Sequence, residues 1–248
     1  MNKIIYFNKI AIITMIVALL AGCGEKTQQV ETSPSNQNTA SEDKSSSNTD
    51  KKEEIKAVET TKQDLKEINI DANLKKKLDT FFSNFSEAHL KSFEKDKLDD
   101  SSLIAFGIRH IMLNNFKIIQ LKGDTGYIKA EDVDAKDLFY FGKKVNQHKN
   151  TGEYIFENGL YKIRMVSGDE YTFSQINKLY DLGNNKYKAE VSVYIASSGY
   201  TGDSHGTIEE WKASGGEIPK LSNKVTATIE KINQDGNERF ILTEYNIN

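Results

Sequence analysis

The apolar residues change their spacing along this 248-residue chain, and that change limits the folds open to it. From Asp71 to Met112 they recur at intervals of three and four, as on helices with one buried face, and the period shifts at Phe116, where residues 116–121 fit a short strand or a continuation of the helix. After about residue 153 they alternate with polar residues in runs separated by Gly and Asn, as on strands joined by tight turns. Helices followed by strands predict an α+β fold, in which N-terminal helices pack on a curved antiparallel sheet arranged as a meander.

Two helices are predicted before residue 116. Asp71 is a good N-cap for the first, whose apolar face indicates an end near Phe93. Ser101 or Ser102 is predicted to cap the second. Gly107 lies inside this second helix and weakens the prediction that it is continuous.

A third, short helix is predicted at residues 131–141, and Gly142 follows it in the position of a C-cap. Aspartates occur at positions 132, 134 and 137 of this segment. The twelve-residue calcium loop also requires a central glycine and a terminal glutamate, which are missing here. These aspartates are therefore predicted to form a charged helix face.

The second half of the chain reads as a series of hairpins. Asn158 and Gly159 are the strongest turn signal, because this dipeptide favours two-residue hairpin turns. Further strands are predicted at residues 170–182, 186–195, 225–232 and 239–247. Residues 197–223 are predicted to form a long irregular stretch. By the order of its elements alone, the outline is similar to cystatin-like and nuclear-transport-factor-like folds.

Residues 24–61 contain almost no large apolar side chains and are rich in Ser, Asn, Gln, Lys and Glu. Such a composition buries too little apolar surface to offset the entropy of ordering the chain, which predicts disorder. We therefore expect a polar tether over residues 23–64 and a single globular domain over residues 65–248.

The first residues have the pattern of an export signal. Lys3 and Lys9 provide a basic start, and residues 10–20 are apolar apart from Thr14. This apolar run is too short for the roughly 20 residues that span a bilayer, which favours a signal peptide over residues 1–22. A buried hydrophobic helix and an uncleaved membrane anchor are the alternatives.

The segment ends with the four residues Leu20, Ala21, Gly22 and Cys23, which resemble the lipobox of bacterial lipoproteins. The resemblance implies cleavage before Cys23 and attachment of diacylglycerol to its sulfur. The mature protein would then be held by lipid on the extracytoplasmic face of the cell membrane. In a Gram-negative cell, Gly24 in place of the retaining aspartate would direct it to the outer membrane.

The sequence lacks residues that several functional classes of protein require. Cys23 is the single cysteine, so the expected domain has no thiol nucleophile, disulfide or cysteine-bound metal. The formal net charge of −3 does not favour nucleic-acid binding. Phosphate-binding glycine loops, an HExxH pair and a G-x-S-x-G serine are missing. We expect no cofactor and no metal.

The candidate binding residues lie in the stretch predicted as irregular: Tyr200, His205 and Trp211. The sequence favours a non-enzymatic domain that binds a protein, a peptide or a cell-wall component. The alternative is a hydrolase with a site around His205 in residues 197–211. A serine, or two carboxylates, within hydrogen-bonding reach of His205 would favour the hydrolase.

Overall fold

The computed structural model describes residues 65–165, 168, 170–234 and 236–248. The predicted signal peptide, Cys23 and the polar tether up to residue 64 lie outside the described residues. The helices are α1 (Ala72–Glu87), α2 (Asp100–Asn114), α3 (Ala130–Phe141) and α4 (Ile208–Ser214), with a 3₁₀ turn at Phe116–Ile118. The strands are β1 (Lys66–Glu67), β2 (Gln120–Lys122), β3 (Thr125–Lys129), β4 (Ile155–Glu157), β5 (Leu160–Arg164), β6 (Tyr171–Gly183), β7 (Lys186–Ala196), β8 (Lys220–Gln234) and β9 (Asn237–Ile247).

The predicted α+β architecture is confirmed, and the large sheet is the expected antiparallel meander. Its strand order is β1-β6-β7-β8-β9. The outer edge of β9 is partly covered, because the backbone of Phe93 exchanges two hydrogen bonds with that of Tyr245. A second sheet, with the order β2-β3-β5-β4, was not expected. It forms because β3, which precedes α3, pairs with β5, which follows it.

α1 packs on β6 and begins as predicted, since the Asp71 carboxylate accepts a hydrogen bond from the Leu74 amide at 2.8 Å. The predicted end near Phe93 was wrong. His89 has a φ of +51°, in the left-handed region, so the helix ends at Glu87 and the chain turns away.

The N-cap of α2 is Asp99, two or three residues earlier than the predicted Ser101 or Ser102. It is continuous through Gly107. A Cβ atom on Gly107 would lie 2.7 Å from Cγ1 of Val133, so the missing side chain lets α2 and α3 approach closely.

α3 ends at Gly142 as predicted, with a φ of +71° at that C-cap. The expectation that its aspartates form a charged face does not hold for Asp137, which is completely buried. This side chain lies on the face of α3 that meets Gly107 of α2, and burial against the neighbouring helix removes it from water.

One hydrophobic core joins the described elements. It includes Phe82 and Phe85 of α1, Ile104 of α2, Ile163 of the small sheet and Ile229 of the large sheet. α1, α2 and α3 therefore share a core with both sheets rather than with one.

The stretch predicted as irregular contains two regular elements. α4 lies inside it, and β8 begins at its end with Lys220. α4 has a capping box, in which Thr207 and Glu210 satisfy each other's backbone N–H groups. The helix has only seven residues, which is too short to give a clear period.

Candidate functional site

The three predicted binding residues lie where the segment after β7 folds back over the large sheet. Trp211 is 3 % exposed, and its indole N–H donates to the carbonyl of Asp203 at 2.6 Å. Its ring meets Phe173 and Tyr194 edge-on. The Trp211 side chain therefore packs the segment against the sheet and leaves little of its own surface exposed for a ligand.

Tyr200 packs in the same place. Its ring stacks on Phe173 at 6.1 Å and on Tyr171 at 5.8 Å between centroids. Burial raises the pKa of Tyr200, and its hydroxyl has no hydrogen-bond partner among the described residues. Tyr200 and Trp211 thus share Phe173 as a packing partner.

The imidazole of His205 contacts α1, while its backbone amide donates to the carboxylate of Asp203. Its Nδ1 lies 3.2 Å from Oδ2 of Asp79, and the imidazole is 29 % exposed. The same carboxylate binds Nζ of Lys75 at 2.6 Å and accepts from the amide of Ile176 at 2.8 Å. Gln175 fastens the segment further, since its amide donates to the carbonyls flanking His205. This arrangement ties the segment to α1 and β6.

As a chemical site, the His205–Asp79 pair is incomplete. An imidazole beside a carboxylate is the base and orienting half of a nucleophilic triad. Among the described residues, however, the ring has one carboxylate within hydrogen-bonding reach and no serine hydroxyl. The described residues also contain no group of three His, Cys, Asp or Glu side chains that could hold a metal ion.

A different region has the shape of a binding site. A groove of about 450 Å³ lies beside α2, between three segments that are distant in sequence. Residues 88–91 form one wall, α2 from Ser101 to Arg109 forms the second, and the turn at residues 151–152 forms the third. We call it the α2 groove.

The first wall exists because α1 ends in a left-handed residue. The amide of His89 donates to the carbonyl of Ser86 at 3.0 Å, and that of Leu90 donates to Phe85 at 2.9 Å. This pair of bonds is the Schellman arrangement, in which glycine is the usual left-handed residue. A histidine there stores backbone strain of roughly 1 kcal/mol, which proteins concentrate at functional positions.

The α2 groove has an apolar floor and a polar rim. Ala88, Leu90 and Phe106 are buried beneath it. Lys91 and Arg109 stand on opposite walls. Three hydroxyl side chains complete the rim, those of Ser101, Ser102 and Thr151.

One carboxylate lines the α2 groove, and it already has a structural role. Oδ1 of Asp99 accepts from the amide of Ser102 at 2.7 Å, as the N-cap of α2. This hydrogen bond lowers the pKa of Asp99 and keeps the group ionised. The charge of Asp99 is thereby placed against the positive end of the helix.

The α2 groove continues into neighbouring cavities through shared residues. His89 also lines cavities of about 210 and 260 Å³, and Arg109 lines one of about 140 Å³. Thr172 lines the first two, and its buried hydroxyl has no hydrogen-bond partner in the described part of the chain. His89 and Arg109 therefore each line more than one cavity in this region.

The sequence did not indicate the α2 groove. His89 was not a candidate. The two cationic residues of the groove, Lys91 and Arg109, belong to no motif identified in the sequence. No sequence signal marked the wall at residues 88–91, because the sequence predicted that α1 runs to about Phe93, whereas the helix ends at Glu87 and the chain turns at His89.

Comparisons with family models, curated proteins and solved structures find no match to this chain. None of the helices in the described ranges is both long and apolar enough to cross a membrane.

Proposed function

We propose that this protein is an exported lipoprotein whose folded domain binds a ligand in the α2 groove and does not act as an enzyme. The pattern of residues 1–23 supports the anchor. Two acyl chains on Cys23 would give stable attachment, whereas one chain gives only marginal binding. The domain would face away from the cytoplasm, on the cell membrane or, in a Gram-negative bacterium, on the outer membrane.

The observation that carries the binding proposal is the α2 groove. Its volume of about 450 Å³ lies within the range of small-ligand sites, roughly 300–1,000 Å³. An apolar floor with a few polar groups at the rim is the usual composition of such sites. The groove also lies beside the strained His89, whereas Trp211 and Tyr200 are packed into the fold.

The hydrolase alternative around His205 has less support. A hydrolase of the nucleophilic class needs a hydroxyl or thiol next to its base. His205 has instead a carboxylate that also holds Lys75 and the backbone of β6. These contacts favour a structural role for the pair.

The anchor is tested by membrane partitioning and intact mass of the native protein beside Cys23→Ala. We expect the wild type in the membrane fraction as a chain that begins at Cys23 and carries diacylglycerol. The variant should lose the lipid and the cleavage. Membrane retention of both proteins with residues 1–22 intact would contradict the lipoprotein proposal.

Binding in the α2 groove is tested with a variant that fills it. Ala105→Phe places a ring in the groove, and Ala213→Phe places the same ring on an exposed face of α4. The mature chain with Cys23→Ser is screened against soluble peptides and saccharides by thermal shift. Ligands of the groove should stabilise the parent and Ala213→Phe but not Ala105→Phe. Equal stabilisation of all three would place the ligand site elsewhere.

A further inference from the structure

The rim of the α2 groove carries an arrangement of charge that points to one class of ligand. Lys91 and Arg109 face the groove from opposite walls, although the whole chain has a net charge of −3. The charge of Asp99 is engaged at the N-terminus of α2. The groove lining therefore carries two cations and one helix-capping anion, an excess of positive charge on a chain whose net charge is negative.

We propose that the α2 groove binds a short peptide through a free carboxylate, held between Lys91 and Arg109. This inference rests on the proposed function, because it names the ligand of the same groove. A guanidinium has five N–H donors in a planar fork that fits a carboxylate. Arg109 can thus bind a carboxylate while it keeps a contact within the protein.

The dimensions of the groove suit a peptide of about three residues. Ser102 and Arg109 are seven residues apart on α2, which corresponds to roughly 10 Å along the helix axis. An extended chain covers about 3.3 Å per residue, so three residues match this length. The hydroxyls of Ser102 and Thr151 lie at the rim, where they can bind backbone groups of such a peptide.

The floor favours small apolar side chains on the ligand. Ala88, Leu90 and Phe106 provide apolar surface, and none of them offers a side-chain hydrogen bond. A small inorganic anion would leave this surface open to water. A peptide with alanine-sized side chains would cover it and gain from its burial.

The test uses a matched pair of probes on the mature chain with Cys23→Ser. Acetyl-trialanine carries a free carboxylate, and its C-terminal amide differs in that charge. We expect the acid to bind at least about tenfold more tightly than the amide in calorimetric titrations, since hydrogen bonds to charged groups are the stronger ones. Chemical-shift changes should lie at residues that line the α2 groove.

Three variants assign the effect to its residues. Lys91→Gln and Arg109→Gln should each weaken acid binding by roughly three- to tenfold and leave amide binding almost unchanged. Lys122→Gln, which removes an exposed charge outside the groove, should change neither. Thermal unfolding of each variant checks its fold, and Lys91 is exposed enough that its replacement should leave the fold intact.

Other outcomes overturn the inference in distinguishable ways. Equal binding of acid and amide, both lost in Ala105→Phe, would exclude carboxylate recognition while the groove remained a binding site. Displacement of the acid by an equal concentration of inorganic phosphate would indicate a general anion site. Failure of both probes to bind would reject the peptide ligand, and the screen with Ala105→Phe would then decide separately on the groove.

Discussion

Asp79 in α1 and Asp137 in α3 are both fully buried helical carboxylates, but their surroundings are opposite. The Asp79 oxygens contact the amide of Ile176, the ammonium of Lys75 and the imidazole of His205. Neither oxygen of Asp137 has a hydrogen-bond partner among the described residues. The Asp79 carboxylate links three parts of the fold, whereas the Asp137 carboxylate is enclosed between two helices.

The difference shows two ways in which a protein accommodates a buried acid. Asp79 has partners that compensate for the water it loses. Asp137 has none, and burial raises its pKa to about 9, with the charge of Asp134 as the lesser cause. Asp137 is therefore a neutral carboxylic acid at pH 7, and its hydrogen-bonding capacity is unused within the described part of the fold.

The largest effect is expected at Asp79. Asp79→Ala leaves the amide of Ile176 without its acceptor and Lys75 without its counter-ion, so we expect the free energy of unfolding to fall by about 3–5 kcal/mol. Asp71→Ala on the same helix removes an exposed cap and should cost about 1 kcal/mol. Urea denaturation measures both. Equal losses would mean that the contacts of Asp79 contribute little.

Asp137→Asn should raise the free energy of unfolding, in contrast to Asp79→Ala, and the size of the increase should depend on pH. The folded pKa lies above the unfolded value of 3.8, so the wild type loses stability as the pH rises from about 4 to about 9. The variant does not titrate there. We expect it to match the wild type to within about 1 kcal/mol at pH 4 and to exceed it by roughly 2–4 kcal/mol at pH 8.

The control for this prediction lies on the same helix. Asp132 is partly exposed, and Asp132→Asn should change the free energy of unfolding by less than about 0.5 kcal/mol at either pH. Denaturation curves at pH 4, 6 and 8 provide the comparison. A stability difference between Asp137→Asn and the wild type that is the same at pH 8 as at pH 4 would show that Asp137 ionises in the fold without penalty.

Gly107→Ala tests how tightly α2 and α3 pack around Asp137 without changing any charge. The added Cβ would meet the backbone oxygen of Val133 at 3.3 Å, in addition to its methyl group at 2.7 Å. Overpacking of this kind should cost about 1–3 kcal/mol, less the gain of about 1 kcal/mol in helix propensity. Thermal unfolding should show a net loss, and a gain would mean that α2 and α3 separate easily.

The smallest effect is expected for His205→Ala, which removes one of the three partners of Asp79. Because the imidazole is partly exposed, water can replace it, and we expect a loss of about 0.5–1 kcal/mol. The same variant should speed limited proteolysis after β7, where the chain is held by Gln175 as well. A loss as large as that of Asp79→Ala would make His205 the main partner.

Local patterns predicted the parts of the fold that depend on local forces. The cap at Asp71 and the hairpin turn at Asn158 and Gly159 were correct, because each is determined by its own few residues. The small sheet was missed because β3 pairs with a strand on the far side of α3. The burial of Asp137 was missed for a similar reason, since a charged residue on a short helix gives no sign of the helix that will cover it.

The candidate site was predicted less well than the fold. His205 was recognised, but its partner Asp79 is 126 residues away, and no spacing rule connects them. Trp211 was expected in an irregular segment and lies instead within α4, packed on the sheet. The α2 groove is formed by residues near 90, 105 and 151, which only the tertiary structure brings together.

The covered edges of the sheets affect how neighbouring copies of this protein would associate. The backbone of Phe93 and the hydroxyl of Ser92 engage the outer edge of β9, and β1 covers part of the opposite edge. The edge strands of the small sheet, β2 and β4, have three residues each. Long open edges let neighbouring molecules join their sheets and aggregate. The proposed lipid anchor would confine the molecules to two dimensions, where they would meet often, and these short or partly covered edges would let many copies share a membrane without assembling into fibres.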